Sequence, residues 1–160
     1  MDIYEYAMQM EKDGESYYRE LAAQAQSDGI RNILTLLANA EVKHYRIFER
    51  MKQHESTQPA DLAYLVNIKN VFAEMRDNKV PMTENGSQIE LYRKAQELEK
   101  KTRDFYREKA GEVDASQKAI FLKIADEEQK HFNILETIID MVSRPQTWLE
   151  NPEWYHLEDY

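Results

Sequence analysis

The chain has 160 residues, the size of a single ordinary domain, and its formal net charge is -9. Such an acidic chain repels nucleic acid and anionic lipid, and its lack of cysteine excludes disulfides, thiolate nucleophiles and cysteine-ligated metals. The N-terminus shows no apolar leader and no segment has the apolar length of a membrane span, so we expect a soluble, cytoplasmic protein.

Four long segments repeat apolar residues at steps of three and four, which is the period of one helix face. They cover about residues 2–26, 29–54, 87–110 and 114–142. The turns at 27–29 and 111–114 are short, so the helices on either side of each turn are antiparallel neighbours. No run alternates apolar and polar residues as a strand would. The sequence therefore predicts an all-α protein, a four-helix bundle made of two hairpins.

Two further segments lie outside the four long helices. Residues 55–86 form a long crossover between the hairpins, and their middle, 61–75, predicts one more helix. Residues 144–160 hold both tryptophans and two prolines, so we expect an irregular aromatic tail that packs on the bundle or on a partner chain. Residues 1–143 are thus predicted to form the bundle domain, followed by this tail.

The second half of the chain repeats the first. Residues 7–22 align with residues 95–110, and residues 37–49 align with residues 124–136, the offset changing by one residue in the turn. Matched pairs of identical residues include Glu11 and Glu99, Tyr18 and Tyr106, Glu41 and Glu128, and His44 and His131. We infer two duplicated hairpins around a pseudo-two-fold axis, which brings matched positions together at the centre.

Four glutamates and two histidines fall where the apolar stripes require buried side chains. They are Glu11, Glu41, His44, Glu99, Glu128 and His131. In the second helix, Leu37 and Phe48 flank a Glu-x-x-His pair, and residues three apart share one helix face. Small residues one turn to either side of the first- and third-helix glutamates leave room beside them. All four helices are therefore expected to send a carboxylate into the core.

Four buried carboxylates need positive charge, because an unpaired buried carboxylate costs several kcal/mol. Two divalent cations meet this need, and oxygen-rich ligation with imidazole suits iron or manganese, with zinc also possible. The sequence thus predicts two metal ions per chain, held by one glutamate from each of two helices and Glu-x-x-His from each of the others. The alternative is a duplicated bundle that has lost its metal.

Two tyrosines and two histidines complete the set of candidate residues. Tyr18 and Tyr106 lie two turns beyond the first- and third-helix glutamates, where their hydroxyls could support the bridging carboxylates or simply pack in the core. His54 and His156 fit no stripe and are predicted to lie on the surface.

With these residues in view, the sequence resembles the rubrerythrin group of the ferritin-like superfamily. The resemblance covers both hairpins, through Glu11, Tyr18, Glu41-x-x-His44, Glu99 and Glu128-x-x-His131. It implies a ferritin-like bundle with a carboxylate-bridged di-iron centre, the reduction of hydrogen peroxide or dioxygen, and a homodimer.

Two departures separate this chain from rubrerythrins proper. They carry a rubredoxin domain with cysteine-ligated iron, which we expect to be absent here, so electrons come from a separate donor such as a rubredoxin. Thr102 stands where they typically have an extra glutamate, so the likeness does not extend to their movement of iron between ligands. Short, rubredoxin-free ferritin-like proteins are the closer likeness. A ferroxidase that handles iron and a non-enzymatic metal-binding module remain alternatives.

Overall fold

The computed structural model describes residues 1–55, 57, 61–79 and 86–143. For residues 86 and 87 it describes the backbone alone. Its helices are α1 (Ile3–Gln24), α2 (Asp28–Lys52), α3 (Ala63–Asp77), α4 (Gly86–Lys109) and α5 (Ala115–Ser143). The five predicted helices are all present, with ends within about two residues of those expected from periodicity. No strand occurs in the described ranges. The prediction of an all-α, ferritin-like bundle is confirmed.

Polar side chains fix where three of these helices begin. Asp2 accepts a hydrogen bond from the backbone N–H of Glu5 at 2.8 Å, and Asp114 accepts one from Gln117 at 2.9 Å. The side chain of Ser27 accepts a hydrogen bond from the backbone N–H of Ile30 at the start of α2. Each cap satisfies a backbone donor that the first helical turn leaves without a partner. The short turns before α2 and α5 follow from these caps.

The helices pair as the turns predict. α1 packs along α2 and α4 packs along α5, while α1 also contacts α4 and α2 contacts α5, which closes the bundle. α3, from the crossover, lies on α2. A Cβ on Gly29 would lie 2.4 Å from the sulfur of Met75, so a larger residue here would require the Met75 side chain to move. The contact between Gly29 and Met75 is thus one point at which the crossover helix α3 packs on α2.

The apolar core is divided into two clusters of buried side chains. The larger cluster includes Leu34, Leu37, Phe72 and Ile138, and the smaller one includes Phe48 of α2 together with residues of α1, α4 and α5. In each of the four bundle helices, residues of one cluster are followed by residues of the other. The glutamates and histidines of the Glu-x-x-His pairs lie between the two clusters, so a polar layer crosses the middle of the bundle.

Several features of the chain bear on the remaining predictions. None of the described helices combines the length and apolar character that crossing a membrane requires. His54 is exposed, as expected. The aromatic tail at 144–160, with His156, lies outside the described residues, as do parts of the crossover.

Candidate metal centre

All six predicted ligands meet in the polar layer. α1 contributes Glu11, α2 contributes Glu41 and His44, α4 contributes Glu99, and α5 contributes Glu128 and His131. Each is at most 5% exposed. The two imidazole rings stack with their planes 12° apart and their centroids 5.9 Å apart. The matched halves of the sequence therefore place their polar residues face to face.

The six residues form two overlapping groups of four. One group is Glu11, Glu41, His44 and Glu128, and the other is Glu41, Glu99, Glu128 and His131. Within each group, ligand atoms lie within 4.8 Å of one another. The two groups share Glu41 and Glu128, so together they offer two neighbouring positions that could each hold a cation. Each position also has one carboxylate and one imidazole of its own.

The distances between potential ligand atoms suit small metal ions. His44 Nδ1 lies 3.0 Å from Glu128 Oε1 and 3.4 Å from Glu11 Oε2. His131 Nδ1 lies 3.3 Å from Glu41 Oε1 and 3.5 Å from Glu99 Oε1. Ligands about 2.1 Å from one metal ion are themselves about 3 to 3.5 Å apart. Both imidazoles thus turn Nδ1 toward the carboxylates at the spacing that a shared ion requires.

Buried atoms without hydrogen bonds show that the residues fit a metal. Glu11 Oε2, Glu41 Oε1, Glu99 Oε2, Glu128 Oε2 and His131 Nδ1 are buried and accept or donate no hydrogen bond within the described chain. Buried polar atoms are normally paired. No lysine or arginine is among the buried residues of that same part of the chain. Two divalent cations would neutralise the four ligand carboxylates and give these atoms partners.

In the metal-free protein, burial and crowding favour the protonated form of the two shared carboxyls. Burial, followed by the charges of neighbouring glutamates, raises the pKa of Glu41 well above its ordinary value, and the same causes raise the pKa of Glu128. Four carboxylates this close cannot all be ionised. A metal must therefore displace these protons in order to bind.

The other glutamates and one histidine are charged instead. Burial acts to raise the pKa of Glu99, but the neighbouring carboxyl of Glu128 and the nearby imidazole of His131 outweigh it and bring the pKa to about 2. His44 lowers the pKa of Glu11 against the effect of burial. The pKa of His44 is raised well above its ordinary value, because Glu11 and Glu127 outweigh the effect of burial. Internal charge pairing thus stands in for part of the missing positive charge.

Two tyrosine hydroxyls cross between the hairpins to the unshared glutamates. Tyr18 of α1 donates to Glu99 Oε1 at 2.5 Å, and Tyr106 of α4 donates to Glu11 Oε1 at 2.8 Å. Both tyrosines are buried. Tyr106 holds Glu11 Oε1 and leaves Oε2 facing His44. Tyr18 instead holds Glu99 Oε1, the same oxygen that lies 3.5 Å from His131 Nδ1. The sequence left open whether these tyrosines support carboxylates or only pack in the core; in the structure their hydroxyls bind Glu99 and Glu11, which belong to one ligand group each.

Glu127 and Tyr64 also belong to the site, and sequence analysis missed both. Glu127 is 3% exposed and Tyr64 is 6% exposed. The Tyr64 hydroxyl donates to Glu127 Oε1 at 2.6 Å and lies 2.7 Å from His131 Nε2, while Glu127 Oε2 lies 3.1 Å from His44 Nε2. Glu127 lies three residues after Ile124 and four before His131, so its position on the buried stripe was a readable signal. Tyr64 carried no comparable signal, since an aromatic ring on an apolar stripe is ordinary core.

A cavity of about 290 Å³ reaches the site between α1 and α4. Glu41, Glu99 and Glu128 form part of its wall, and half-exposed Tyr6 and Leu98 lie toward the surface. A Cβ on Gly14 would lie 3.0 Å from Glu41 Oε2, so glycine keeps this side of the carboxylate open. A molecule of a few atoms can therefore approach the shared carboxylates from this face.

The sequence model of the Rubrerythrin family matches residues 2–139, which include all six ligand candidates. This chain belongs to the rubrerythrin family. The family is a ferritin-like group of di-iron carboxylate proteins, so the resemblance read from the sequence is confirmed. Comparison with curated proteins and with solved structures found no match. The buried glutamates and histidines described above are able to hold metal, as the proteins of this family do.

Proposed function

We propose that this rubrerythrin-family chain is a di-iron oxidoreductase that reduces hydrogen peroxide with electrons from a separate donor. The observation that carries the proposal is the pair of overlapping ligand groups that share Glu41 and Glu128 beside a small cavity. When bound, two ferrous ions would supply one electron each and act as Lewis acids on the oxygens of the peroxide. Reduction of one peroxide takes two electrons and two protons and gives two molecules of water.

The chain's own residues prepare the site for this reaction. Tyr18 and Tyr106 fix the two unshared glutamates through their hydroxyls, so the ligands are held before a substrate arrives. The apolar clusters above and below the polar layer keep bulk water from the centre. The cavity has room for peroxide or dioxygen beside the shared carboxylates.

Electrons are proposed to come from outside this chain. The sequence holds no cysteine, so it cannot ligate iron through thiolates as a rubredoxin does. We also propose a homodimer, which the resemblance to the rubrerythrin group implies. Sedimentation velocity is expected to give twice the mass of one chain, and a monomer at all concentrations would contradict this.

The test compares oxidants and electron donors. Anaerobic, Fe(II)-loaded protein is mixed with peroxide or with dioxygen in a stopped-flow instrument, with and without a rubredoxin and its reductase. We expect faster oxidation by peroxide, a single turnover without the donor, and sustained turnover with it. Sustained peroxide consumption without any donor would contradict the proposed electron supply.

Ferroxidation is the second candidate, because the cavity also has an acidic lining. The carboxylates of Asp13 and Glu99 lie on its wall beside one cation, Lys101, and their net negative charge would attract Fe(II). Uptake of many irons per chain in air would favour ferroxidation over peroxide reduction. If the protein neither reacts with peroxide nor takes up iron, a non-enzymatic metal-binding module is the remaining alternative.

Thr102 offers a test of the cavity as the route for the oxidant. It lines the cavity one turn beyond Glu99 and is 8% exposed. We expect Thr102→Leu to slow oxidation by peroxide severalfold, since the larger side chain fills the path. Thr102→Val keeps the size of the side chain and is expected to react like wild type. Equal rates in both variants at equal iron content would exclude this route.

A further inference from the structure

The two histidines of the site have different partners on the side away from the cluster. Each ring turns Nδ1 toward the carboxylates and Nε2 outward. His44 Nε2 lies 3.1 Å from the carboxylate of Glu127, and His131 Nε2 lies 2.7 Å from the hydroxyl of Tyr64. One imidazole thus faces a charged oxygen and the other faces a phenol.

Because the chain is duplicated, the two positions match in their other ligands and differ in the outer partner of the histidine. The two positions share two carboxylates, and each adds one glutamate, itself bound by a tyrosine hydroxyl, and one imidazole. The repeat aligns Glu127 of α5 with Ala40 of α2, which is buried and offers no polar group. Tyr64 comes from the crossover helix α3, which lies outside the repeat. The symmetry of the two positions is therefore broken at Glu127 and Tyr64.

The hydrogen-bond directions follow from the ligand role of Nδ1. When Nδ1 binds a metal, Nε2 carries the proton and donates it. Tyr64 then accepts from His131 and donates to Glu127 Oε1 at 2.6 Å. Glu127 Oε2 is left to face His44 at 3.1 Å. This contact is not a straight hydrogen bond in the metal-free protein, so we expect the His44 ring to turn slightly when Nδ1 takes a ligand.

We propose that Glu127 and Tyr64 make the two metal positions unequal, so that the position beside His44 fills first. The inference rests on the proposed function only in that the six residues bind metal. A carboxylate behind a ligating imidazole raises the basicity of the ring and adds negative charge near the ion. A phenol is a neutral and weaker acceptor, so the metal beside His131 is bound less tightly. Glu127 is a positioning residue that acts through His44.

The test measures where a limited amount of metal binds. Crystals of the full chain, loaded anaerobically with one Mn(II) per chain, give the occupancy of each position from anomalous scattering. In wild type we expect the position beside His44 to hold most of the manganese, by a factor of about 10, since loss of such an outer partner typically costs 10- to 100-fold in affinity. Tyr64→Phe, which removes the partner of His131, should keep this preference.

Two variants of α5 separate the role of Glu127 from a general effect of charge. Glu127→Gln keeps the shape of the side chain and removes its charge, so the two occupancies should become nearly equal. Glu136 lies on the same helix, but its carboxylate accepts a hydrogen bond from Gln96 at 2.8 Å and contacts neither histidine. Glu136→Gln should therefore behave like wild type. Structural damage would lower both occupancies together, whereas a positioning role changes their ratio.

Each outcome decides the inference. Equal occupancies in wild type, or an unchanged preference in Glu127→Gln, would overturn it and leave the metal centre intact. Failure of wild type to bind manganese even in excess would overturn both this inference and the proposed site. Calorimetric titration of the same proteins in solution gives a second measurement, in which Glu127→Gln should bring the two dissociation constants closer together.

Discussion

The double variant Glu41→Gln, Glu128→Gln is expected to lose metal binding and to melt at a higher temperature than wild type when both are metal-free at pH 8. These two carboxyls belong to both ligand groups, so their replacement removes two ligands from each metal position. Calorimetric titration with Fe(II) under anaerobic conditions should then show no binding step.

The gain in stability has a separate physical cause. Both carboxyls are fully buried beside other carboxylates, which raises the pKa of each well above its ordinary value. Glutamine resembles the protonated carboxyl in shape and charge, and it removes the cost of keeping a proton bound at high pH. Each pH unit over which a carboxyl is protonated in the folded chain but ionised in the unfolded chain costs about 1.4 kcal/mol. We expect the melting temperature to rise by about 5 °C.

The repeat supplies a matched control for this variant. Glu49 and Glu136 are also an aligned pair on α2 and α5, and neither belongs to a ligand group. Glu49→Gln, Glu136→Gln should bind two irons and show no comparable gain in melting temperature. If the Glu41→Gln, Glu128→Gln protein still binds metal, or melts well below metal-free wild type, then these residues are not the shared ligands.

The metal-free protein is expected to lose stability as the pH rises from about 5 to about 8. Folded protein keeps protons on Glu41, Glu128 and His44, whose pKa values are all raised. In the unfolded chain the glutamates release their protons near their ordinary pKa of 4.5 and the histidine near 6.5. The folded state thus binds more protons in this range, and stability falls with pH wherever it does so.

Below this pH range the stability of the metal-free protein instead falls as the pH decreases. Burial acts to raise the pKa of Glu99 and of Glu127, but hydrogen bonds and neighbouring histidine charge bring both to about 2. The stability that these groups contribute is present above pH 4.5 and is lost as the pH falls toward 2. The metal-free protein should therefore be most stable near pH 5.

Metal should change this profile, because it competes with the same protons. Affinity for the metal rises with pH as Glu41, Glu128 and His44 release their protons, and ligand binding stabilises the folded state by mass action. Thermal unfolding across the pH range, with chelator and with Fe(II), measures both curves. We expect the melting temperature of the metal-free protein to fall by about 5 °C or more between pH 5 and pH 8, and the stabilisation by metal to grow. A metal-free curve that rises with pH would contradict the protonation of the shared carboxyls.

The bundle could be read from the sequence because its helices are long and strictly periodic. Each of the four carries its apolar stripe for six turns or more, and short capped turns at Ser27 and Asp114 leave little choice in how neighbours pair. The ligand candidates were visible for a related reason. A polar residue on such a stripe must be buried, and the repeat doubled each signal.

The outer contacts could not be read in the same way. Tyr64 reaches His131 from a crossover helix whose position on α2 depends on packing such as the close approach of Met75 to Gly29. Periodicity shows which face of a helix is buried, but it does not show where that helix packs on its neighbour. Glu127 was readable as a buried position, but its partner was not, because the repeat offers only Ala40 as its counterpart. The hydrogen bond from Tyr18 to Glu99 also depends on how far α1 and α4 are shifted along each other, which periodicity does not give.

The most direct test of the metal centre is anomalous diffraction at the iron edge from crystals loaded anaerobically with Fe(II), together with elemental analysis of the same protein. We predict two irons per chain in the polar layer, one beside His44 and one beside His131, with Glu41 and Glu128 between them. Fully loaded protein with no iron at these positions, or with iron bound elsewhere on the chain, would contradict the account.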